Sequence, residues 1–187
     1  DALPIFADAF NYLIYGGKAV VNPAQLQELD TTEIALPFGA QNENRTQPDD
    51  AVQKYRDVLK TLAVKTDERC TYLVLGIENQ SNVHYAMPVR NMLYDAMQYE
   101  KQVRQLAAAH RKKHDAATSD EYLSGMSRED KITPVITLVI NFGSKRWDGP
   151  LSLYEMMPEQ PAKVKAFVQD YKVFLIDPMA MTDADLE

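Results

Sequence analysis

Apolar residues recur along this chain in two periods, one near 3.6 and one near 2. Residues 4 to 15, PIFADAFNYLIY, place Phe6, Phe10, Leu13 and Ile14 at helical spacing and run into Gly16 and Gly17, which predicts a helix that stops at the glycines. Residues 32 to 38, TEIALPF, read as a short strand, and GAQNENRTQPDD (39 to 50) as a polar loop rich in turn residues. The runs KYRDVLKTLAV and CTYLVLGIENQ are separated by Lys65 to Arg69, the pattern of a β-hairpin. A long helix is expected to begin near Met87 and Pro88, since proline suits a first turn, and to bury Val89, Leu93, Ala96, Met97, Val103 and Ala107. The segment KKHDAATSDEYLSGMSREDK is polar and expected to be mobile. TPVITLVINFG (133 to 143) reads as a buried strand, and AFVQDYKVFLIDP (166 to 178) contains another. Helix, strand, hairpin, long helix and strand, in that order and without repeats, predict one α/β domain over 1–187 with a mixed central sheet flanked by helices.

The second hairpin strand leaves its apolar run through Glu78, Asn79 and Gln80. A turn centred on Thr66 to Arg69 puts Lys65 opposite Cys70, and the same register carried back puts Asp57 opposite Glu78. Strand alternation gives Gln80 the face of Glu78 and turns Ile77 and Asn79 the other way. Directly opposed residues have Cβ atoms about 4.5–5.5 Å apart, and like charges there repel, so a positive group is expected between the two carboxylates. A hard divalent cation such as Mg²⁺ fits, because it takes one or two carboxylates and completes its shell with waters and phosphate oxygens. A Lys or Arg partner, or a fortuitous pair at a solvated strand end, is the alternative. Glu-x-Gln or Glu-x-Lys is a weak signal by itself, since it also occurs at Glu100 and Glu129; only Glu78 ends an apolar strand with an Asp across the hairpin.

Composition narrows the class. The 187 residues are 45% hydrophobic and 25% charged, ordinary for one globular domain. The longest apolar stretches fall far short of the roughly 20 residues that span a bilayer, and no charged-then-apolar leader precedes Phe6, so a soluble cytoplasmic protein is expected. The single Cys70 cannot form an internal disulfide, and no zinc-spaced Cys and His accompany it; it reads as a packed thiol rather than a nucleophile. The chain opens without Met and stops at MTDADLE, and is expected to be part of something longer. A net charge of −7 argues against nucleic-acid binding by the whole surface. Charge is nonetheless uneven: KQVRQLAAAHRKKH (101 to 114) holds five Lys and Arg with two His, which either contact phosphate or complement the negative end of a helix dipole. A Gly-rich phosphate loop, a Ser elbow and a His-rich metal motif are all absent from the sequence.

Taken in order, FADAFNYLIYGGKAVV, KYRDVLK, YLVLGIENQ, YAMPVRNMLYDAMQYEKQ and PVITLVINFGSKRWDGPLSLYEMM resemble the bacterial Rpn family of recombination-promoting nucleases, also labelled putative transposases, over most of the chain. The resemblance implies a restriction-endonuclease-like core of the PD-(D/E)XK superfamily, helix, three strands, helix, strand (αβββαβ). It implies that Asp57 and Glu78 hold Mg²⁺ or Mn²⁺, and that Gln80 stands where most of the superfamily has Lys. Asp8 matches the acid that the first helix contributes in many members; read from the residues alone it is a favourable charge in the first helical turn. Arg90 and Tyr94, one helical turn apart, either face this site or hold the helix against the hairpin. The implied activity is metal-dependent hydrolysis of DNA phosphodiesters, linked to recombination or mobile elements. The alternative is a catalytically weak or inactive nucleic-acid-binding or interaction domain, because Gln80 can orient a water but adds no positive charge. Arg104, Arg111, Lys112, Lys113, Lys145 and Arg146 are the candidate DNA contacts, and Trp147 either stacks on a base or packs. The resemblance does not choose between DNA and RNA, and a homo-oligomer is compatible with it.

Overall fold

The helix expected at the start of the chain forms as α1, Leu3–Tyr15. Phe6, Ala7 and Phe10 are buried along its inner side, with the two rings 5.0 Å apart, whereas Ile14 is exposed. Gly16 and Gly17 follow with φ of +58° and +82°, left-handed backbone that costs little only without a Cβ, and they end the helix. Asn11 then ties the returning chain to α1. Its Oδ1 accepts from the backbone N–H of Val20 (3.0 Å) and Val21 (2.6 Å), and its Nδ2 donates to the Val21 carbonyl (3.1 Å), so a buried carboxamide is fully used. Asp8 is exposed on α1. As the sixth residue of the helix it lies beyond the first turn, so the favourable first-turn charge expected of it is corrected.

The structure, a computed structural model, describes residues 3–28, 32–35, 52–55, 58–66 and 69–181, with side chains over 4–26 and 80–181. One sheet has five strands: β1 (Gln27–Glu28), β4 (Val58–Thr66), β5 (Arg69–Gln80), β6 (Val135–Asn141) and β7 (Phe174–Ile176), neighbours in that order. β4 and β5 make the predicted hairpin in the predicted register, Lys65 facing Cys70. β5–β6 and β6–β7 are parallel, so the sheet is mixed. A second, two-stranded sheet pairs β2 (Thr32–Ala35) with β3 (Val52–Tyr55).

Two strand expectations therefore change. Of the strand expected at 32–38, the described part, Thr32–Ala35, does not join the main sheet, and KYRDVLKTLAV is divided, since Val52–Tyr55 and Val58–Thr66 belong to different sheets. A strand has only two edges: β5 and β1 occupy those of β4, and β2 takes its hydrogen bonds from β3 instead. The expected loop at 39–50 lies outside the described residues.

Helices cover both faces of the parallel part. α1 packs with Leu138 and Ile140, flanked by Ile136 and Ile176. On the other side Met87, the first residue of α2 (Met87–Lys113), packs with Val139 and Val173, flanked by Leu175 and Trp147. Alternation along β6 separates the two sets, and the strand is buried on both faces as a central parallel strand should be. Among the described residues no helix is long and apolar enough to cross a membrane.

α2 starts where the sequence places it, with Pro88 in its first turn, but it buries a different face. Val89 and Ala96 are exposed and Leu93, Met97 and Val103 half-buried; of the expected positions only Ala107 is buried. The buried positions are Met87, Pro88, Asn91, Tyr94, Asp95, Gln98 and Ala107. Hydrogen bonds explain the rotation. Thr137 Oγ1 and Tyr171 OH donate to the two oxygens of Asp95 at 2.5 and 2.6 Å. Further along, Tyr99 OH accepts from Val135 N–H, and Gln102 exchanges two bonds with the backbone of Thr133. Polar side chains thus stitch α2 to β6 and the segment before it, a pattern that apolar periodicity does not register.

The segment expected to be polar and mobile instead contains α3, Ser119–Ser124, capped by Thr118 Oγ1, which accepts from Glu121 N–H. His110 anchors this region to α2: Nδ1 lies 2.7 Å from Asp115 Oδ1 and Nε2 lies 2.8 Å from Asp130 Oδ2. The hydrogen bonds to Asp115 and Asp130 hold the imidazole above its ordinary 6.5. The bond from His110 lowers Asp115, and the Ser127 backbone N–H, followed by His110, lowers Asp130.

Two outcomes follow from these contacts. Thr137→Val, which keeps the shape but leaves a buried Asp95 oxygen one donor short, is expected to cost about 1.5–3 kcal/mol in denaturant unfolding. The raised His110 value means its contribution is complete below pH 6.5 and lost as pH rises through the folded value; that of the lowered aspartates is present above 3.8 and lost in acid. The thermal midpoint of the parent should therefore fall more steeply than that of His110→Ala as pH rises above 6.5. Parallel pH profiles would rule out the clamp.

Candidate functional site at the carboxyl ends of the parallel strands

β5, β6 and β7 run parallel and each ends at or just before a polar residue: Gln80, Asn141 and Asp177. Gln80 and Asn141 are register partners. The carboxyl ends of parallel strands are the usual place for ligands in open α/β sheets, because the connecting loops diverge there. Here the loops are held by a buried network. Asn141 Nδ2 donates to the Lys145 carbonyl (2.8 Å) and to Asp177 Oδ1 (3.2 Å), its Oδ1 accepts from Gly143 N–H (3.1 Å), and Asp177 Oδ2 accepts from Trp147 N–H (2.8 Å).

The loop after β5 is clasped to the loop after β6. Phe142 N–H donates to the Gln80 carbonyl (2.8 Å), and Tyr85 OH donates to Asp148 Oδ1 (3.1 Å), a bond that raises the phenol above its ordinary value. A Cβ on Gly143 would lie 2.7 Å from the Ser81 carbonyl oxygen, so the close approach of the two loops requires glycine there. Two polar groups next to these loops lack partners: His84 Nδ1 and both amide atoms of Asn91 are buried without a hydrogen bond.

The expected carboxylates meet this end of the sheet only in part. Asp57 lies outside the described residues; the described pairing of β4 with β5 stops at Val58 opposite Ile77, one residue short of it. Glu78 is described by its backbone, in β5 and level with Val139 of β6. Gln80 is half-buried at the strand end. Asp8 stands on α1, across the sheet from α2. Arg90 and Tyr94 touch one another, with Nε donating to the phenol oxygen at 3.2 Å and the guanidinium carbon 5.6 Å from the ring centre. Among the described residues no group of three His, Cys, Asp or Glu is gathered closely enough to hold a metal ion.

The candidate phosphate contacts divide into two sets. Lys145 and Arg146 are exposed on the loop after β6, beside Gln80 and Asn141; Arg146 Nε donates to the Met179 carbonyl (3.0 Å). Arg111, Lys112 and Lys113 are exposed in the last turn of α2. At 1.5 Å of rise per residue that turn begins roughly 30 Å from Arg90, so it is not part of the same site and it faces the negative end of the helix dipole. Arg104 is paired with Glu100 at 2.7 Å. Trp147 is a packing residue: it is half-buried against the Met87–Val139–Val173 cluster, and its Nε1 donates to the Gly149 carbonyl (3.0 Å). A hollow of about 140 Å³ by Tyr154 and Lys165 offers one Glu and no convergent polar set.

Asn141, Asp177, His84 and Asn91 were not singled out from sequence. A signal existed for the first two, since NFG and IDP each set a polar residue at the end of an apolar strand, as ENQ does.

Residues 49–187 match the model of the family described as "Putative transposase, YhgA-like". No curated protein and no solved structure matches the chain.

The buried network predicts the outcome of one substitution. Asn141→Asp sets a second carboxylate against Asp177 Oδ1, and two buried like charges cannot both stay ionised. The variant is expected to lose on the order of 3 kcal/mol at neutral pH and to recover part of it near pH 4, where one of the pair is protonated. A loss equal at both pH values in denaturant melts would refute the pairing.

Proposed function

Because the chain belongs to the YhgA-like putative transposase family, we propose that it is a nucleic-acid-cleaving enzyme linked to mobile elements or recombination, a metal-dependent deoxyribonuclease of the Rpn kind on a PD-(D/E)XK core. The observation that carries the finer part is the hairpin register. Pairing of β4 with β5 runs from Thr66 opposite Arg69 to Val58 opposite Ile77; in this reading the register continues one step, to position 57 opposite position 78. Asp57 and Glu78 are the residues there.

Two carboxylates with a carboxamide one alternation away form a hard, all-oxygen donor set, which fits Mg²⁺ or Mn²⁺ and not a thiolate-loving metal. Asp57 and Glu78 hold the ion in this reading. When bound, the ion supplies charge neutralisation at the phosphate and acidifies a water. The chain's own residues do the rest. Gln80 orients the attacking water through its amide, and Lys145 and Arg146 contact the nucleic-acid backbone beside it. The clasped loops keep these groups on a firm support, so positioning does not have to be established at each turnover. With Gln80 neutral, negative charge developing on the phosphate is met by the ion and by basic side chains, not by the Lys usual elsewhere in the superfamily.

The test is cleavage of supercoiled plasmid, with single-stranded RNA in parallel, in Mg²⁺, Mn²⁺ or EDTA. Nicking is expected with either ion and not with EDTA, and Asp57→Ala or Glu78→Ala should lower it by about a hundredfold or more. Activity that survives either substitution would remove the hairpin carboxylates from the reaction. Chelator-insensitive DNA binding with no cleavage would assign the chain to the binding-domain alternative.

A further inference from the structure

Three buried asparagines can be compared directly. Asn11 makes three hydrogen bonds to the chain after α1, and Asn141 makes three within the loop network. Asn91 is 0% exposed and makes none, with Oδ1 and Nδ2 both buried and unpaired. A buried polar group left without any partner would carry a desolvation penalty of about 1–3 kcal/mol, so a carboxamide buried here calls for a partner from outside the described chain.

The position of Asn91 is fixed by its neighbours on α2. One turn before it, Met87 packs with Val139, whose register partner in β5 is Glu78. One turn after it, Asp95 accepts from Thr137, whose register partner is Gly76. Asn91 therefore lies on the stretch of α2 that is level with residues 76 to 78 of β5. His84, in the loop joining β5 to α2, adds a second buried and unpaired nitrogen at the same end. A free carbonyl oxygen and a free amide group side by side suit a partner that both donates and accepts. A water meets that requirement, whereas a bare metal ion or a phosphate oxygen would use only one of the two atoms.

We propose that Asn91 is the positioning residue of the metal site, holding by its carboxamide a water of the ion's hydration shell. The inference rests on the reading of Asp57 and Glu78 as the metal-binding pair. Mg²⁺ and Mn²⁺ keep several waters when one or two carboxylates bind them, and those polarised waters donate strongly to an oxygen such as Oδ1.

The experiment measures Mn²⁺ affinity by calorimetry, and the thermal midpoint in EDTA, for the parent, Asn91→Leu, Asn91→Asp and Glu78→Gln. Asn91→Leu is expected to raise the midpoint in EDTA, because the unpaired amide is gone, and to weaken Mn²⁺ binding about tenfold or more. Asn91→Asp should bind Mn²⁺ more tightly than the parent at neutral pH, since its carboxylate can accept from the same water or reach the ion. Mn²⁺ affinity unchanged in Asn91→Leu while Glu78→Gln abolishes binding would overturn the role of Asn91 alone. Absence of Glu78-dependent binding in the parent would overturn the metal reading and this inference with it. Should Asn91→Leu not fold, affinity unchanged in Asn91→Asp would overturn the proposal.

Discussion

The orientation of α2 is set by one buried carboxylate. Asp95 receives hydroxyl donors from Thr137 on β6 and from Tyr171, just before Val173, and so ties the helix to the central strand and to the segment leading into β7 at one point. A hydrogen bond to a charged acceptor is worth more than an apolar contact of the same size, and it is directional where packing is not. With that bond made, α2 cannot turn its Val89 and Ala96 flank inward without leaving a buried charge short of donors. The same rotation decides where Asn91, Tyr94 and Gln98 go, because all three share the buried side of the helix with Asp95.

The polar interior continues past that point in both directions. Toward the carboxyl ends of the strands it becomes the Asn141–Asp177 network, which fixes the loop bearing Lys145 and Arg146. Toward the far end of α2 it becomes the Gln102 pair and then the His110 clamp, which holds the α3 segment to the helix. The first network is buried and lies at the carboxyl ends of the strands, whereas the second is more exposed and lies in the crossover between β5 and β6. Electrostatics divides the same way. Basic groups near Gln80 are few and sit on a braced loop, while the densest basic cluster is spent at the dipole of the α2 terminus roughly 30 Å away. A chain with net charge −7 that engages nucleic acid has to do so through such local placement, because its overall field is repulsive.

Much was legible in the sequence because the information was local. α1 and its glycine stop, the turn between Thr66 and Arg69, the start of α2 at Met87–Pro88 and the buried strand at 135–141 all follow from periodicity and breakers within a dozen residues. The hairpin register was legible too, since a tight turn fixes every later pair. Membership in the YhgA-like family agrees with the motifs read along the chain. From these the sequence by itself determined the mixed α/β class and the register of the hairpin.

Tertiary structure decided what no window could contain. Which face of α2 is buried depended on Thr137 and Tyr171, 42 and 76 residues from Asp95, and a polar stripe reads as solvent-facing until its partners are known. That β2 pairs with β3 and not with the main sheet was a choice among segments and not a property of one. The division of the basic residues between the loop after β6 and the last turn of α2 was invisible in their spacing, because residues near one another in sequence can be a whole helix length apart in space. The burial of Asn91 is of the same kind: the residue type was written in the chain, but only the orientation of α2 decided that it lies inside.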